Sequence, residues 1–219
     1  MKKKVYIIHT SFVSVDHLKM LFAELVPEVQ VFHIVDDSLL DEIMENGGVT
    51  PAVTRRYCMY AIQAESQGAD LIFSQCSSAG SCADIASQMV KTPILKVDQA
   101  MAEEAVKIGG RIAVVATLET TLKPSMKLIS DEIEKRGSGA VVMPVLVKGA
   151  FDELINGGGK AVHNEMVLQK IRETAKTADV ITLAQGSMVS LLDELEGIGV
   201  PVLTSPRMGV QRVRTVLGL

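Results

Sequence analysis

An internal duplication constrains the fold of this chain more than any other feature of its sequence. Residues Ala69–Ser78 align without a gap with residues Ala178–Ser187. Further matches follow in the same order at offsets of 107 to 111 residues: Thr10 with Thr117, Asp41-Glu42 with Asp152-Glu153, and Pro93–Leu95 with Pro201–Leu203. A repeat unit of this length that occurs only twice does not fit a solenoid, so it predicts two similar halves.

Each half reads as alternating strands and helices, a pattern typical of a parallel α/β sheet. We predict one half from residues 1–98 with 206–219 and a second from residues 99–205. Each is expected to hold a roughly four-stranded parallel sheet flanked by helices, with the strand ends of both halves facing one cleft near a pseudo-twofold axis. The predicted strands are 4–9, 29–35, 69–75, 93–97, 111–116, 140–147, 179–184 and 200–204.

Helical spacing of apolar residues predicts the connecting helices. Thr50 followed by Pro51 indicates a helix start, because Thr is a good N-cap and Pro fits the first helical position. The last helix, Arg207–Leu217, is expected to pack back on the first half, and Gly157–Gly159 reads as a flexible connection. The other predicted helices are 15–25, a short one after Ser38, one from 51 to 67, 78–89, 120–136, 151–155, 161–176 and 188–195.

Composition excludes several classes of protein. The chain has 219 residues, 47% of them hydrophobic, which is enough to bury the core of one large domain or two small ones. A net charge of −4 without a basic stripe gives no reason to expect nucleic acid. No apolar run approaches the ~20 residues of a membrane span. Three cysteines and four dispersed histidines lack metal-ligand spacing, so we expect a reducing compartment, the cytoplasm, and no metal site.

Cys76 is the strongest candidate for a reactive residue. It follows an apolar strand and precedes a predicted helix, at the edge where open α/β sheets bind their ligands. The N-terminus of a helix favours the thiolate form of a cysteine. Cys76 could act as a general acid or base, or as a nucleophile. The duplication places Gln185 opposite Cys76, and an amide cannot act as a base, so Gln185 is either a hydrogen-bonding group in the site or a relic.

Hydroxyl groups and helix N-termini gather at the same predicted edge. Singly, such hydroxyls are more often helix caps, but as a set they suit a small carboxylate bound without a strong positive charge. The residues predicted to bind this carboxylate are Thr10, Ser11, Ser77, Ser78, Thr117, Thr120, Gly186 and Ser187.

Other polar residues receive structural interpretations. Arg207 reads as a surface cation, with a carboxylate partner as the alternative. His33 reads as a satisfied core or rim histidine and Asp36 as a helix cap, although a second base could come from that strand end. Cys58 and Cys82 fall inside helical patterns and read as core residues.

The chain resembles the aspartate/glutamate/hydantoin racemase superfamily over essentially its whole length. Phe73–Ala79 is similar to the first catalytic-cysteine motif, and Ala116–Thr120 to an Ala-Thr-x-x-Thr segment that binds a carboxylate. Leu183–Met188 occupies the place of the second cysteine motif but carries Gln185. The resemblance implies two α/β halves, a homodimer, and racemases that need no cofactor and use paired cysteines next to a substrate carboxylate.

The missing second cysteine shapes the expected function. We expect a cofactor-independent isomerase or racemase-like enzyme, in which Cys76 moves a proton next to the carboxylate of a small hydroxy, oxo or amino acid. Two alternatives remain. One is a single-cysteine decarboxylase or other lyase, since the resemblance includes a decarboxylase that works with one cysteine. The other is a protein that binds small carboxylates without turnover.

Overall fold

The computed structural model describes residues 2–156 and 158–219 and divides into two compact units. Unit 1 comprises Met1–Gln99 with Pro206–Leu219, and unit 2 comprises Ala100–Ser205. Gly157, part of the expected flexible connection, lies outside the described residues.

Unit 1 is built on a four-stranded parallel sheet with the strand order β2-β1-β3-β4. Helices cover both faces, and a short 3₁₀ helix, Ser77–Ala79, joins β3 to the next helix. The elements are β1 Lys4–His9, α1 Val15–Leu25, β2 Gln30–Val35, α2 Ser38–Glu45, α3 Pro51–Ser66, β3 Leu71–Ser74, α4 Gly80–Ala86 and β4 Ile94–Lys96. The final helix of the chain, Ser205–Leu217, also packs on this sheet.

Unit 2 repeats this architecture with the strand order β6-β5-β7-β8, again entirely parallel. A 3₁₀ helix, Gly186–Leu195, follows β7. The elements are α5 Gln99–Ile108, β5 Arg111–Ala116, α6 Glu119–Arg136, β6 Val141–Leu146, α7 Ala150–Asn156, α8 Gly159–Thr174, β7 Val180–Leu183, β8 Val202–Thr204 and, continuing into unit 1, α9 Ser205–Leu217. The prediction of an α/β protein with two similar four-stranded parallel halves is therefore confirmed.

The sheet registers show that the two aligned stretches are structurally equivalent. Val5 of β1 pairs with Leu71, and Ile112 of β5 pairs with Val180. Asp70 and Asp179, the aspartates just before these strands, accept equivalent hydrogen bonds in the two units. Asp70 Oδ2 accepts from the backbone N–H of Lys4 at 2.8 Å, and Asp179 Oδ2 accepts from that of Arg111 at 2.7 Å. The repeated Ala-Asp pair thus holds the start of the central strand in both units.

The core of unit 1 lies in two layers because side chains alternate across each strand. Ile8 packs with Tyr57 of α3 and Cys82 of α4 on one face. Ile7 packs on the other face with Phe22 of α1 and Val210 of α9. The last helix therefore packs on the first half, as predicted.

Three details differ from the sequence prediction. Helix α5 was not predicted, because its buried face consists largely of small residues such as Ala102 and Ala105, whose periodic signal is weak. The predicted helix 78–89 is a 3₁₀ turn followed by α4, which ends at Ala86. The predicted helix 188–195 is part of the 3₁₀ helix after β7. The helix start at Pro51 is confirmed, with Thr50 Oγ1 accepting from Val53 N–H at 3.1 Å.

Candidate active site

Cys76 lies at the carboxyl end of the sheet in unit 1. The Gln75 N–H donates to the Ile8 carbonyl at 3.1 Å, so the β1–β3 register continues and brings Thr10 level with Cys76. Cys76 has extended backbone angles (φ −111°, ψ 119°) and is the N-cap of the 3₁₀ helix that begins at Ser77. Its side chain is half-buried and remains accessible.

The other two cysteines are core residues, as the sequence indicated. Cys58 and Cys82 are both buried. Burial raises the pKa of Cys58, and it raises the pKa of Cys82 to about 11. The Cys82 Sγ lies 3.8 Å from Thr54 Oγ1. Because a neutral buried thiol is a poor nucleophile, Cys76 is the thiol of this chain suited to chemistry.

The hydroxyl groups predicted in unit 1 differ in accessibility. Thr10 and Ser78 are buried, with 1% and 6% of their surfaces exposed. Ser11 and Ser77 are half-buried. The structure brings Thr10, Ser77 and Ser78 to the same sheet edge as Cys76, since all of them follow β1 or β3 directly.

Gln185 occupies the equivalent position in unit 2. It is the N-cap of the 3₁₀ helix after β7, with backbone angles (φ −123°, ψ 132°) close to those of Cys76. Its Oε1 lies 2.7 Å from the Thr117 backbone nitrogen and 2.9 Å from Thr117 Oγ1. A carbonyl oxygen only accepts, so both Thr117 groups donate to it. The Gln185 amide is thereby fixed with its NH₂ group directed away from Thr117, as a donor.

The remaining predicted residues of unit 2 lie near this pair in the chain. Gly186 is exposed and begins the 3₁₀ helix. Thr120 is half-buried, and its Oγ1 is buried without a hydrogen-bond partner among the described residues. The side chain of Ser187 lies outside the part of the chain whose side chains the structure describes.

Comparison with known proteins identifies the family of this chain. The Asp/Glu/Hydantoin racemase family model matches residues 8–213. The chain belongs to this racemase family. It is 29% identical over 160 residues to hydantoin racemase from Rhizobium meliloti. The aligned region covers 71% of this chain and 64% of the relative. The chain thus spans less than two thirds of the length of that relative.

Solved racemase structures share the fold. Glutamate racemase RacE1 from Bacillus anthracis is similar with a TM-score of 0.73 and 14% identity, over 99% of this chain and 82% of that one. Allantoin racemase from Klebsiella pneumoniae is similar with a TM-score of 0.69 and 15% identity, over 99% of this chain and 88% of that one. At these identities the likeness establishes the architecture of this racemase-family chain.

The sequence analysis did not predict that two histidines of unit 1, the buried His9 and the half-buried His33, would form a pair. The Nε2 atom of His9 lies 2.9 Å from Nδ1 of His33. His9 is fully buried, and burial, with the charges of His33 and Lys19, lowers its pKa to about 4. Burial and Lys19 also lower the pKa of His33. Both rings are therefore neutral near pH 7, and the interpretation of His33 as a satisfied histidine is confirmed.

Gln75 extends the polar layer formed by the histidines. It follows β3 level with His9 of β1, so both side chains share the sheet face toward α1. Among the described residues, neither Gln75 Oε1 nor His9 Nδ1 has a hydrogen-bond partner. The matching positions in unit 2 are Ala116 and Ala184, both buried in the apolar core. Comparing the two halves residue by residue could have drawn attention to His9 and Gln75.

Asp36 is not the helix cap that the sequence predicted. Asp37 holds the N-cap position of α2, and Asp36 instead accepts from Tyr60 Oη and Ser38 Oγ, each at 2.6 Å. Arg56 Nη1 lies 3.3 Å from the same carboxylate. Burial alone raises the pKa of Asp36, but these hydrogen bonds and the charge of Arg56 outweigh it and hold the pKa below its usual value. The carboxylate is therefore engaged by three neighbouring side chains at the end of β2.

Arg207 is a surface cation at the start of α9. Its Nη1 lies 3.1 Å from Glu24 Oε2, and both side chains are about half exposed, at 52% and 53%. Arg207 therefore lies at the surface, and its charge is paired with the Glu24 carboxylate within unit 1.

Asp98 is a further residue that the sequence analysis missed. It lies two residues after β4, and 4% of its surface is exposed. The Val97 N–H donates to the Ser74 carbonyl at 2.9 Å, which continues the β3–β4 register and brings Asp98 level with Cys76. A lone acidic residue after the apolar strand Ile94–Lys96 was the available signal, because strand ends of a parallel sheet meet at one edge.

The described residues contain no group of three or more His, Cys, Asp or Glu side chains arranged to hold a metal ion. Within residues 2–156 and 158–219, no helix has both the length and the apolar character needed to cross a bilayer.

Proposed function

We propose that this chain is a cofactor-independent isomerase that uses Cys76 as its one proton-transferring thiol on a small carboxylate. The observation that carries the proposal is the fixed orientation of Gln185. At the position equivalent to Cys76, the two hydrogen bonds from Thr117 make the amide a donor. By the resemblance, racemases of this family use paired cysteines, so replacing one of them with a fixed donor favours one-base chemistry.

The proposed roles follow from the charge that develops during proton removal. Cys76 takes a proton from the carbon next to the substrate carboxylate, and an enediolate forms. The Gln185 NH₂ group donates to a carboxylate or enediolate oxygen. Backbone N–H groups at Ser77, Ser78, Gly186 and Ser187 are proposed to stabilise the same charge.

One-base chemistry limits the reaction types. Racemisation needs a second group that returns the proton on the opposite face, and an amide cannot supply it. Tautomerisation returns the proton with the same thiol. A decarboxylase is the second candidate, favoured by the same single thiol, because Cys76 would only protonate the carbanion that remains after carbon dioxide leaves.

Proton NMR in deuterated buffer tests the proposal. Small hydroxy, oxo and amino acids are incubated with wild type, Cys76→Ala and Cys58→Ala, the last removing a buried thiol from the same unit. We expect wild type and Cys58→Ala to exchange a carbon-bound proton and Cys76→Ala to lose exchange by at least about 100-fold. Release of carbon dioxide would identify the lyase. Exchange and ligand affinity that both survive unchanged in Cys76→Ala would contradict both enzyme assignments.

Two further assignments complete the proposal. All three cysteines are free thiols, which suits the reducing cytoplasm. The homodimer implied by the family resemblance is tested by sedimentation equilibrium, where a monomer at micromolar concentration would refute it.

A further inference from the structure

The core layer that supports Cys76 contains two buried hydroxyl groups. Ser74 ends β3 two residues before Cys76, so both side chains lie on the same face of the sheet, the face that α3 and α4 cover. Tyr57 of α3 is fully buried in the core cluster on this face, and Cys76 packs against the same cluster. Among the described residues, neither Tyr57 Oη nor Ser74 Oγ has a hydrogen-bond partner. Two unpaired donors therefore lie in the layer beneath the thiol.

The direction of α3 turns the Tyr57 side chain toward the end of the sheet where Cys76 lies. This helix carries the chain from the carboxyl edge of the sheet, where β2 ends, back to the amino edge, where β3 begins. Side chains of a helix tilt toward its N-terminus, which for α3 is the carboxyl edge of the sheet. Thr54, one turn before Tyr57, lies 3.8 Å from the Cys82 Sγ of α4, so this part of α3 packs beside the helix that follows Cys76.

Unit 2 has apolar side chains at both matching positions. The five buried residues of α3 and of α8 match at a constant spacing of 110 residues, which aligns Tyr57 with Val167. The aligned strand ends match Ser74 with Leu183. Val167 and Leu183 are fully buried in an apolar core cluster of the half that carries Gln185. The fold therefore does not need the two hydroxyls, and they occur in the half that carries the cysteine.

The two hydroxyls gain an acceptor when the Cys76 thiol ionises. A neutral thiol is a weak acceptor, whereas hydrogen bonds to an ionised acceptor are short and strong. Burial raises the pKa of the Tyr57 hydroxyl, and the Ser74 hydroxyl opposes this rise only in part, so Tyr57 keeps its proton near neutral pH and serves as a donor. A buried hydroxyl without a partner costs stability, and a hydrogen bond formed only with the thiolate favours the thiolate.

We propose that Tyr57, assisted by Ser74, is a positioning residue that stabilises the Cys76 thiolate by donating a hydrogen bond to its Sγ. This inference rests on the proposed function, in which Cys76 takes a proton from the substrate carbon. It adds the groups that favour the form of the thiol able to take that proton.

Neighbouring titratable groups add no unpaired charge to this face of the sheet. Lys96 of β4 lies on the same face, but its ammonium is 2.7 Å from Asp84 Oδ1, so its charge is paired. Burial raises the pKa of Asp98, which follows β4, and this favours its neutral form. Burial also raises the pKa of the Cys58 thiol of α3 and the Cys82 thiol of α4. The two hydroxyls are therefore the groups assigned to the thiolate.

Alkylation by iodoacetamide tests the inference without a substrate, because the thiolate is the form that reacts. Mass spectrometry measures the rate at Cys76 across a pH series. We expect Tyr57→Phe to react about tenfold more slowly at pH 7, with a midpoint about one pH unit higher and an unchanged rate at the alkaline plateau. Ser74→Ala should slow the reaction at pH 7 by about threefold. Tyr60→Phe is the matched control and should react like wild type, since its hydroxyl on the same helix donates to Asp36.

Stability separates this role from a structural one. Because Tyr57→Phe removes a buried hydroxyl without a partner, its urea unfolding midpoint should be no lower than that of wild type. A lower midpoint would overturn the inference, as would a rate at pH 7 within twofold of wild type or equal slowing at pH 7 and at the alkaline plateau. The proposed function fails by a different result, the survival of proton exchange in Cys76→Ala.

Discussion

The carboxyl ends of the two sheets have the same backbone and different chemistry. In unit 1, Cys76 is the N-cap residue of a 3₁₀ helix, and the buried Asp98 follows the neighbouring strand β4. In unit 2, Gln185 caps the equivalent helix, and its amide oxygen is held by Thr117. One strand end carries a free thiol, whereas the other carries an amide whose oxygen already accepts two hydrogen bonds.

The side chains just below the strand ends are also more polar in unit 1 than in unit 2. Unit 1 places His9 and Gln75 where unit 2 places Ala116 and Ala184. Buried polar atoms without partners cost stability, and the alanines show that the fold can do without them. The duplicated backbone therefore supplies the scaffold, and unit 1 has kept or acquired polar groups at a cost in stability.

Cys76→Gln makes the strand end of unit 1 resemble that of unit 2 and should have the largest effect. An amide cannot accept the substrate proton, so we expect turnover to fall by about 10³-fold or more. Single-turnover proton NMR measures the loss, with Cys58→Ala as the control. Turnover within tenfold of wild type would show that the two strand ends are chemically equivalent.

His9→Gln tests the buried histidine layer through the pH dependence of stability. The folded pKa of His9 is about 4, below the unfolded value of 6.5. The unfolded chain therefore binds a proton first as pH falls, and stability present above pH 6.5 is lost toward pH 4. Between pH 7.5 and 4.5 we expect wild type to lose about 2–3 kcal/mol more free energy of unfolding than His9→Gln. Urea titrations at both pH values measure it, and equal losses would contradict the assignment.

Gly209→Ala tests the matched helices that follow β4 and β8. Met101 of α5 is buried at the position where α9 has Gly209. A Cβ at Gly209 would overlap the Val97 carbonyl. Helix propensity favours Ala by about 1 kcal/mol, but overpacking against backbone should outweigh it and destabilise unit 1 by about 2 kcal/mol.

Gly80→Ala is the control for this substitution, because a Cβ there meets only Lys96 Cδ at an ordinary contact distance of 3.9 Å. Urea unfolding of both variants measures the difference. A Gly209→Ala protein as stable as Gly80→Ala would show that α9 does not pack closely on β4.

Thr117→Val should have the smallest effect of the four. It removes the hydroxyl donor to Gln185 Oε1 and keeps the backbone donor. We expect about 1 kcal/mol weaker binding of the carboxylate that supports exchange, about fivefold in Kd, measured by isothermal titration calorimetry. Thr117→Ser retains the hydroxyl and should bind like wild type. Equal affinity of all three proteins would detach Gln185 from binding.

The duplication made the fold predictable from sequence. The aligned stretches Ala69–Ser78 and Ala178–Ser187 begin with the same Ala-Asp pair and end at the same strand-to-helix junction. Apolar runs between turn signals then located all eight strands, because buried parallel strands leave a strong local pattern. Helix α5 was missed because small residues such as Ala102 and Ala105 give little periodic signal.

The candidate site was predictable only in part. Cys76 and Gln185 stood out because they follow matched strands at equivalent positions of the repeat. Asp98 did not, since its position level with Cys76 depends on β4 lying beside β3, a pairing between segments more than 20 residues apart in sequence.

Local periodicity and matched positions were enough to predict the two-fold repeat, the parallel α/β architecture and the single cysteine at the strand end. Which groups face one another emerged only from the folded chain. There the Gln185 amide oxygen accepts from Thr117, His9 lies against His33, and Asp98 is buried after β4. Hydrogen-bond direction and desolvation depend on neighbours from other strands, and no local pattern specifies those neighbours.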